Sequence, residues 1–220
     1  MQKTKNYYAF IKIGQEKHID EFQKEGRLYC NSLRYHRKSE DIGVKGDRNE
    51  GMGLIKQVPR LDLLEKSKIL GTAYRAQLYV DNPKLQGNIF CMYGFESSKL
   101  DHSSFDIQRI VIEDSNKEFG EFALVIHNPQ GFKNRLEAHL VKNSIEYEFE
   151  PVYYYDPLTT NAELDQYCKS NKYRYQNEVR LWLPDITDEP RSIWIGGISD
   201  LSIKLPVSQL DKLVAQFVKS

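Results

Sequence analysis

From Lys172 to Leu183 the chain alternates between apolar and polar residues with the two-residue period of a β-strand. Tyr173, Tyr175, Val179 and Leu183 fall on one face, and Arg174, Gln176, Glu178 and Arg180 on the other. The first face suits a core. The second is a dense row of hydrogen-bonding and charged groups in which Glu178 is the sole carboxylate. Facing water, such a row is a cross-strand charge ladder. Facing a cleft, it is the wall of an active site. Glu178 would then accept from a hydroxyl or steady a developing positive charge, and Gln176, two residues away on the same face, would orient the attacking group.

Strand-like segments recur throughout. Tyr7 to Ile13, Arg27 to Tyr35, Ala73 to Val80, Asn88 to Phe95, Ile107 to Glu113, Glu121 to Ile126 and Ile145 to Tyr155 alternate or run apolar, and Ser192 to Ile195 and Leu201 to Lys204 add late strands. Helical spacing predicts Gln15 to Glu25, with Gly26 as its C-cap, and Pro129 to Val141, with Phe132, Leu136 and Leu140 on one stripe. Short helices are expected at Leu61 to Lys66 and Asn161 to Lys169, and a closing amphipathic helix at Val207 to Val218. Arg37 to Gly53 is polar and Gly-rich and reads as loop. Strands and helices do not alternate regularly, which argues against a doubly wound parallel sheet. The expected fold is a single α+β domain over residues 1–220: a split or strongly curved, mostly antiparallel β-sandwich with marginal helices.

Composition narrows the function classes. Lys+Arg and Asp+Glu both number 31, so no net field favours long nucleic acid. The 14 tyrosines and 10 phenylalanines suit β cores, and they equally suit pockets that stack flat rings. No stretch approaches the roughly 20 apolar residues of a membrane span. The start, Met1 to Asn6, runs into a strand rather than the long apolar core of a signal peptide. Cys30, Cys91 and Cys168 are widely spaced, without a CxxC pair, and read as reduced packing cysteines of a cytoplasmic protein.

Two further constellations stand out. In Asn31 to Arg37, Tyr35 can stack on an aromatic ring, while His36 or Arg37 can contact phosphate; the alternative is a strand end with Tyr35 in the core. Glu40, Asp41, Asp47 and Glu50 are spread across the Gly-rich loop. Their spacing departs from an EF-hand, so a solvated loop with Asx turns, a mobile flap, or a metal-dependent nuclease site using Asp41, Asp47 and Glu50 stay open. Neither common nucleotide loop, no HExxH and no G-x-S-x-G elbow is present, so no standard motif supplies a metal or nucleophile.

The order of strand Tyr7 to Ile13, helix to Glu25, Gly26, a strand ending in Leu33-Arg34-Tyr35, and a late Gln176-x-Glu178 resembles the ADP-ribosyltransferase superfamily. The resemblance implies a split β-sandwich holding NAD, as substrate, in a cleft. It implies that Glu178 is the catalytic carboxylate, that Gln176 orients the acceptor, and that Tyr35 packs on nicotinamide. Arg34 or Arg37 would hold the pyrophosphate, and Lys12 would stand in for the family's first-strand Arg or His. The acceptor would be a protein side chain or a nucleic-acid base. The late Tyr-Gln-x-Glu-x-Arg strand also resembles small bacterial or phage-borne toxins and defence factors, implying an antitoxin or regulatory partner. The competing reading is a non-enzymatic module that binds a protein or nucleotide, with Glu178 a structural ion-pair member. A low pocket volume and an Arg174 or Arg180 bridge to Glu178 would favour that reading.

Overall fold

The computed structural model describes residues 6–38, 46–184, 187 and 189–217. Its centre is an eight-stranded sheet. In chain order the elements begin with β1 (Tyr7–Gly14), α1 (Glu16–Glu25), β2 (Arg27–Ser32) and α2 (Leu33–Lys38). A long hairpin follows, β3 (Met52–Glu65) and β4 (Lys68–Asp81), then β5 (Asn88–Glu96), β6 (Gln108–Arg109), α3 (Asp114–Lys117), β7 (Phe122–Ile126) and α4 (Pro129–Lys142). The remainder is β8 (Glu148–Pro151), β9 (Tyr153–Tyr155), β10 (Ala162–Glu163), β11 (Cys168–Ser170), β12 (Glu178–Leu183), β13 (Arg191–Trp194), β14 (Ser202–Pro206) and β15 (Val214–Ala215).

β5 is the shared strand. One edge pairs with β12 along Asn88 to Tyr93, and β8 extends the sheet beyond it. The other edge is divided: β1 takes Tyr93 to Glu96, whereas β2 takes Asn88 and Ile89. From there the sheet splits into β1-β7-β14 and β2-β13. These pairings are antiparallel, so the expected mostly antiparallel, split α+β fold is what forms. Among the described residues only β9 and β11 run parallel.

The two faces differ. Phe10, Phe90, Met92, Leu124, Val179 and Leu181 share one buried core with α1 and α4. There Phe10 and Phe22 both meet the Phe132 ring edge-on, a favourable quadrupole geometry. Ala9, Ile11, Tyr93, Phe95 and Ala123 form a second core on the opposite face with Val207 and Leu210. α1 ends where expected: Gly26 is left-handed at φ 68, and its N–H returns to the Phe22 carbonyl at 3.0 Å.

Several expected elements differ. The Arg27 to Tyr35 strand stops at Ser32, whose hydroxyl accepts from the Tyr35 N–H at 3.1 Å and so caps α2. The Lys172 to Leu183 strand begins only at Glu178. Asn171–Gln176 is a 3-10 helix, and Asn177 reverses the chain at φ 35, a conformation Asn tolerates. Of the expected Leu61 to Lys66 helix, Leu61 to Glu65 is strand in β3 and Lys66 is in the turn that follows, because fourteen residues of β4 offer a ladder that outweighs local helical spacing. Asn161 caps no helix; its side chain accepts from the Gln57 N–H while β10 pairs with β3. The Ile107 to Glu113 strand shrinks to β6, and Ile145 to Tyr155 divides into β8 and β9. The closing helix is a 3-10 turn over Val207–Lys212, followed by β15, which pairs with β6; Val218 lies outside the described residues.

Candidate functional site

Glu178, Gln176 and Arg180 converge on the second face of the sheet. Arg174 does not join them: it is exposed and donates to the Tyr154 carbonyl at 3.3 Å. The shared face therefore arises differently from the expected alternation, through the Asn177 reversal that places the last residue of the 3-10 turn beside the first residue of β12. β5 fixes the reversal: Gly94 donates to the Asn177 carbonyl at 2.8 Å, and the Asn177 amide donates to the Gly94 carbonyl.

The site is a buried charge network. Arg180 is 0% exposed and is the largest fully buried side chain. Its Nε and Nη2 donate to Glu178 Oε1 at 3.2 and 2.8 Å, and its Nη1 donates to Glu50 Oε1 at 2.8 Å and to the Gln166 carbonyl. Lys169, on β11, completes the ring. Its Nζ lies 2.7 Å from Gln176 Oε1, 2.9 Å from Glu178 Oε2 and 3.7 Å from Glu50 Oε2. The Glu178 backbone N–H donates to the Tyr154 hydroxyl at 2.9 Å. Asp47, also buried, accepts from the Asn49 N–H at 3.0 Å, the Asx turn expected of this loop.

The charges set one another. Burial alone would push the Glu178 pKa up, but the Lys169 and Arg180 charges outweigh it and hold the carboxyl well below its ordinary range. Burial works against the Lys169 ammonium, yet Glu178 and Glu50 raise its pKa. Asp47 is raised, first by burial and then by Glu50. Partly exposed His36 on α2 is pushed down to about 4, chiefly by burial, and it feels Glu50, Lys169, Arg180 and Glu178. Within the network the cations Lys169 and Arg180 balance the carboxylates Glu50 and Glu178, and both Glu178 oxygens accept from them.

The other expected site residues are distributed less compactly. Tyr35 is 50% exposed on α2 and meets the His36 ring edge-on. Arg34 lies beside it, partly exposed. Arg37 has its fork engaged: it donates to the Glu50 carbonyl at 2.9 Å, to the Gly51 carbonyl at 3.0 Å and to Asp81 at 3.0 Å. It thus staples the Glu50 turn to the base of the hairpin. Lys12 shares the parity of Phe10, the face opposite Glu178. Its Nζ donates to the Cys91 carbonyl at 2.7 Å in the fork between β1 and β2, over the Phe90 ring. Lys12 therefore closes the split in the sheet.

Of the loop acids, Asp41 lies outside the described residues, and Glu50 is committed to Arg180 and Lys169. Among the described residues no three His, Cys, Asp or Glu side chains are placed to hold a metal ion. Two cavities, of about 400 and 460 Å³, lie elsewhere; Lys133 lines both, with Tyr7, Tyr8 and His102 in one and Tyr147 to Glu150 in the other. Among the described residues no helix is long and apolar enough to cross a membrane.

Lys169 and Tyr154 are not singled out by sequence reasoning, whereas Arg180 is, as the bridge to Glu178 that the binding-module reading expects, and the structure forms that bridge. A basic residue at the position alternate to Glu178 was a legible signal for Arg180. Lys169 carried none, because its segment reads locally as helix. No protein-family model matches the chain, and neither a curated protein nor a solved structure is significantly similar to it.

Proposed function

We propose that the protein is an NAD-dependent mono-ADP-ribosyltransferase centred on Glu178. The observation that carries this reading is the Lys169 ammonium held between Gln176 Oε1 and Glu178 Oε2. It ties the two residues of the Gln-x-Glu pair into one buried, ionised unit. Buried charge networks are a poor route to stability, since desolvation offsets most of the Coulombic gain, and strongly shifted groups cluster at functional sites. In the reaction the ribose–nicotinamide C–N bond breaks, and nicotinamide leaves with the bonding pair. Glu178 hydrogen-bonds a ribose hydroxyl and offsets the oxocarbenium-like charge. Gln176 orients the acceptor, a protein side chain or a base, whose lone pair forms the new bond as its proton departs. The exposed Tyr35 ring and neighbouring Arg34 supply a stacking surface and a cation at the rim.

A second reading is favoured by one observation: Arg180 bridges Glu178 to Glu50. In that reading the network braces the Glu50 turn against the sheet, and the protein is a non-enzymatic module that binds a protein or a nucleotide.

Labelling with a tagged NAD separates the two. Wild type and Glu178→Gln, which keeps the shape of the side chain, are incubated with bacterial lysate, and the products are divided by protease and nuclease sensitivity. The transferase reading expects label with wild type and its loss in the folded variant. Absence of label with both, alongside a co-purifying partner that both retain, supports the binding module.

A further inference from the structure

The Glu178 network is covered. Glu178 is 6% exposed and Gln176 5%, and neither residue lines the two cavities. A substrate reaches them only when part of the fold moves. The turn from Asp47 to Gly51 closes the network on the side of α2, where the Asp47 N–H donates to the His36 carbonyl at 3.2 Å. The Glu50 N–H donates to the Asp47 carbonyl at 2.9 Å and fixes the turn. It enters the network through the buried Glu50 carboxylate, whose Oε1 lies 2.8 Å from Arg180 Nη1 and Oε2 3.7 Å from Lys169 Nζ. One anion thus spans two buried cations, the arrangement in which a phosphate is held. The turn is latched from outside. Arg37 grips the Glu50 and Gly51 carbonyls and Asp81, whose side chain is 51% exposed, so the ion-pair part of the latch is weak. Inside the turn, Asp47 is buried near Glu50, a like-charge crowding that water relieves once the turn moves out.

We propose that Arg180 and Lys169 form an anion-binding pair, that Glu50 is its built-in occupant, and that the Asp47–Gly51 turn swings out when a phosphate of the dinucleotide takes the place of the Glu50 carboxylate. The identity of the ligand rests on the transferase reading; the pair and its occupant do not. Without Glu50 the two cations face a single carboxylate, Glu178, and an uncompensated charge is left in a buried setting. The empty pair therefore draws Glu50 in, and an arriving anion releases it. The two occupants exclude each other, so ligand binding and opening are one equilibrium. The guanidinium fork of Arg180 matches the oxygens of a phosphate, and Lys169 adds a second positive charge. Because the turn rests on α2, its departure opens the network beside Tyr35 and Arg34, the rim where a dinucleotide would enter. Arg37 becomes the latch of the turn rather than a ligand for the pyrophosphate, in keeping with its engaged fork.

The test uses the full chain with inorganic pyrophosphate as the probe. Affinity is measured by titration calorimetry, and opening by amide hydrogen exchange of the peptide spanning Asp47 to Met52. Glu50→Gln removes the built-in anion and keeps its shape; Arg37→Ala releases the latch and leaves the network intact, so it serves if Glu50→Gln does not fold. The expected result is pyrophosphate binding at least about fivefold tighter to each variant than to wild type, in the range of coupling between competing occupants. Exchange in the turn should rise when pyrophosphate binds wild type, and without any ligand in Arg37→Ala. Equal affinity in wild type and the folded variants, or exchange in the turn that pyrophosphate leaves unchanged or slows, overturns the proposal. Labelling with tagged NAD is scored separately. Pyrophosphate binding of the expected pattern without label supports the anion pair and removes the transferase reading; label without that pattern does the reverse.

Discussion

Lys169 Nζ lies 2.9 Å from Glu178 Oε2, and both side chains are buried. This pair joins β11 to β12, and it sets the ionisation of both partners. Replacing Lys169 with Met keeps the length of the side chain and removes the charge, leaving Glu178 and Glu50 to share only Arg180. Removal of one partner from a buried ion pair costs about 3–5 kcal/mol. Urea unfolding of Lys169→Met should show a loss of that order; a variant as stable as wild type would show that Glu178 does not depend on Lys169.

Glu178→Gln should reduce transfer of ADP-ribose from NAD by on the order of 10²–10³-fold, as expected when a charge that stabilises a transition state is neutralised in place. Steady-state labelling of an acceptor identified in lysate measures this. An unchanged rate in the folded variant removes Glu178 from the chemistry.

Stability should decline with acid in a window set by His36. Its folded pKa is depressed from 6.5 to about 4, so below pH 6.5 the unfolded chain takes up a proton that the folded chain refuses. The stability contributed by His36 is therefore complete above pH 6.5 and falls as pH drops toward 4, while Asp47, whose pKa burial raises, acts in the opposite sense. Glu178 has its folded pKa lowered from 4.5, so its contribution persists through that window and is lost only at lower pH. His36→Gln should flatten the decline between pH 6.5 and 4, followed by denaturant unfolding across that range. A slope equal to wild type would mean that His36 takes up its proton equally in both states.

The three thiols should be sluggish in the native protein. Burial pushes Cys30 and Cys91 up to about 12 and Cys168 up to about 11, so little nucleophilic thiolate exists near neutrality. A chromogenic disulfide reagent should titrate all three cysteines rapidly only after denaturation. Rapid reaction of a native thiol would place that cysteine in a more open setting than its packing indicates.

Gly26→Ala should lower stability by more than ~1 kcal/mol. Gly26 holds φ 68, and a Cβ there would collide with the Gly196 backbone carbonyl. Thermal unfolding measures the loss; a neutral substitution would show that the two chain segments separate readily.

What could be read from the chain was local. The helix to Glu25 with its glycine cap and the Phe132–Leu136–Leu140 stripe follow from side chains a few residues apart, whose periodicity is a property of the chain alone. The α+β class followed because strand-like segments outnumber helical ones without alternating with them. The rest depended on which distant segments meet. Leu61 to Lys66 carries spacing compatible with a helix, and only β4 as its partner makes most of it strand. Arg37 and Lys12 are cations in any reading, and only the fold commits one to the Glu50 and Gly51 carbonyls and the other to Cys91 in the fork of the sheet. Above all, a carboxylate between two arginines reads the same on a wet surface as in a core. Desolvation depends on what covers it, and Lys169, Glu50 and Gln166 reach Glu178 and Arg180 through tertiary contacts with no local signature.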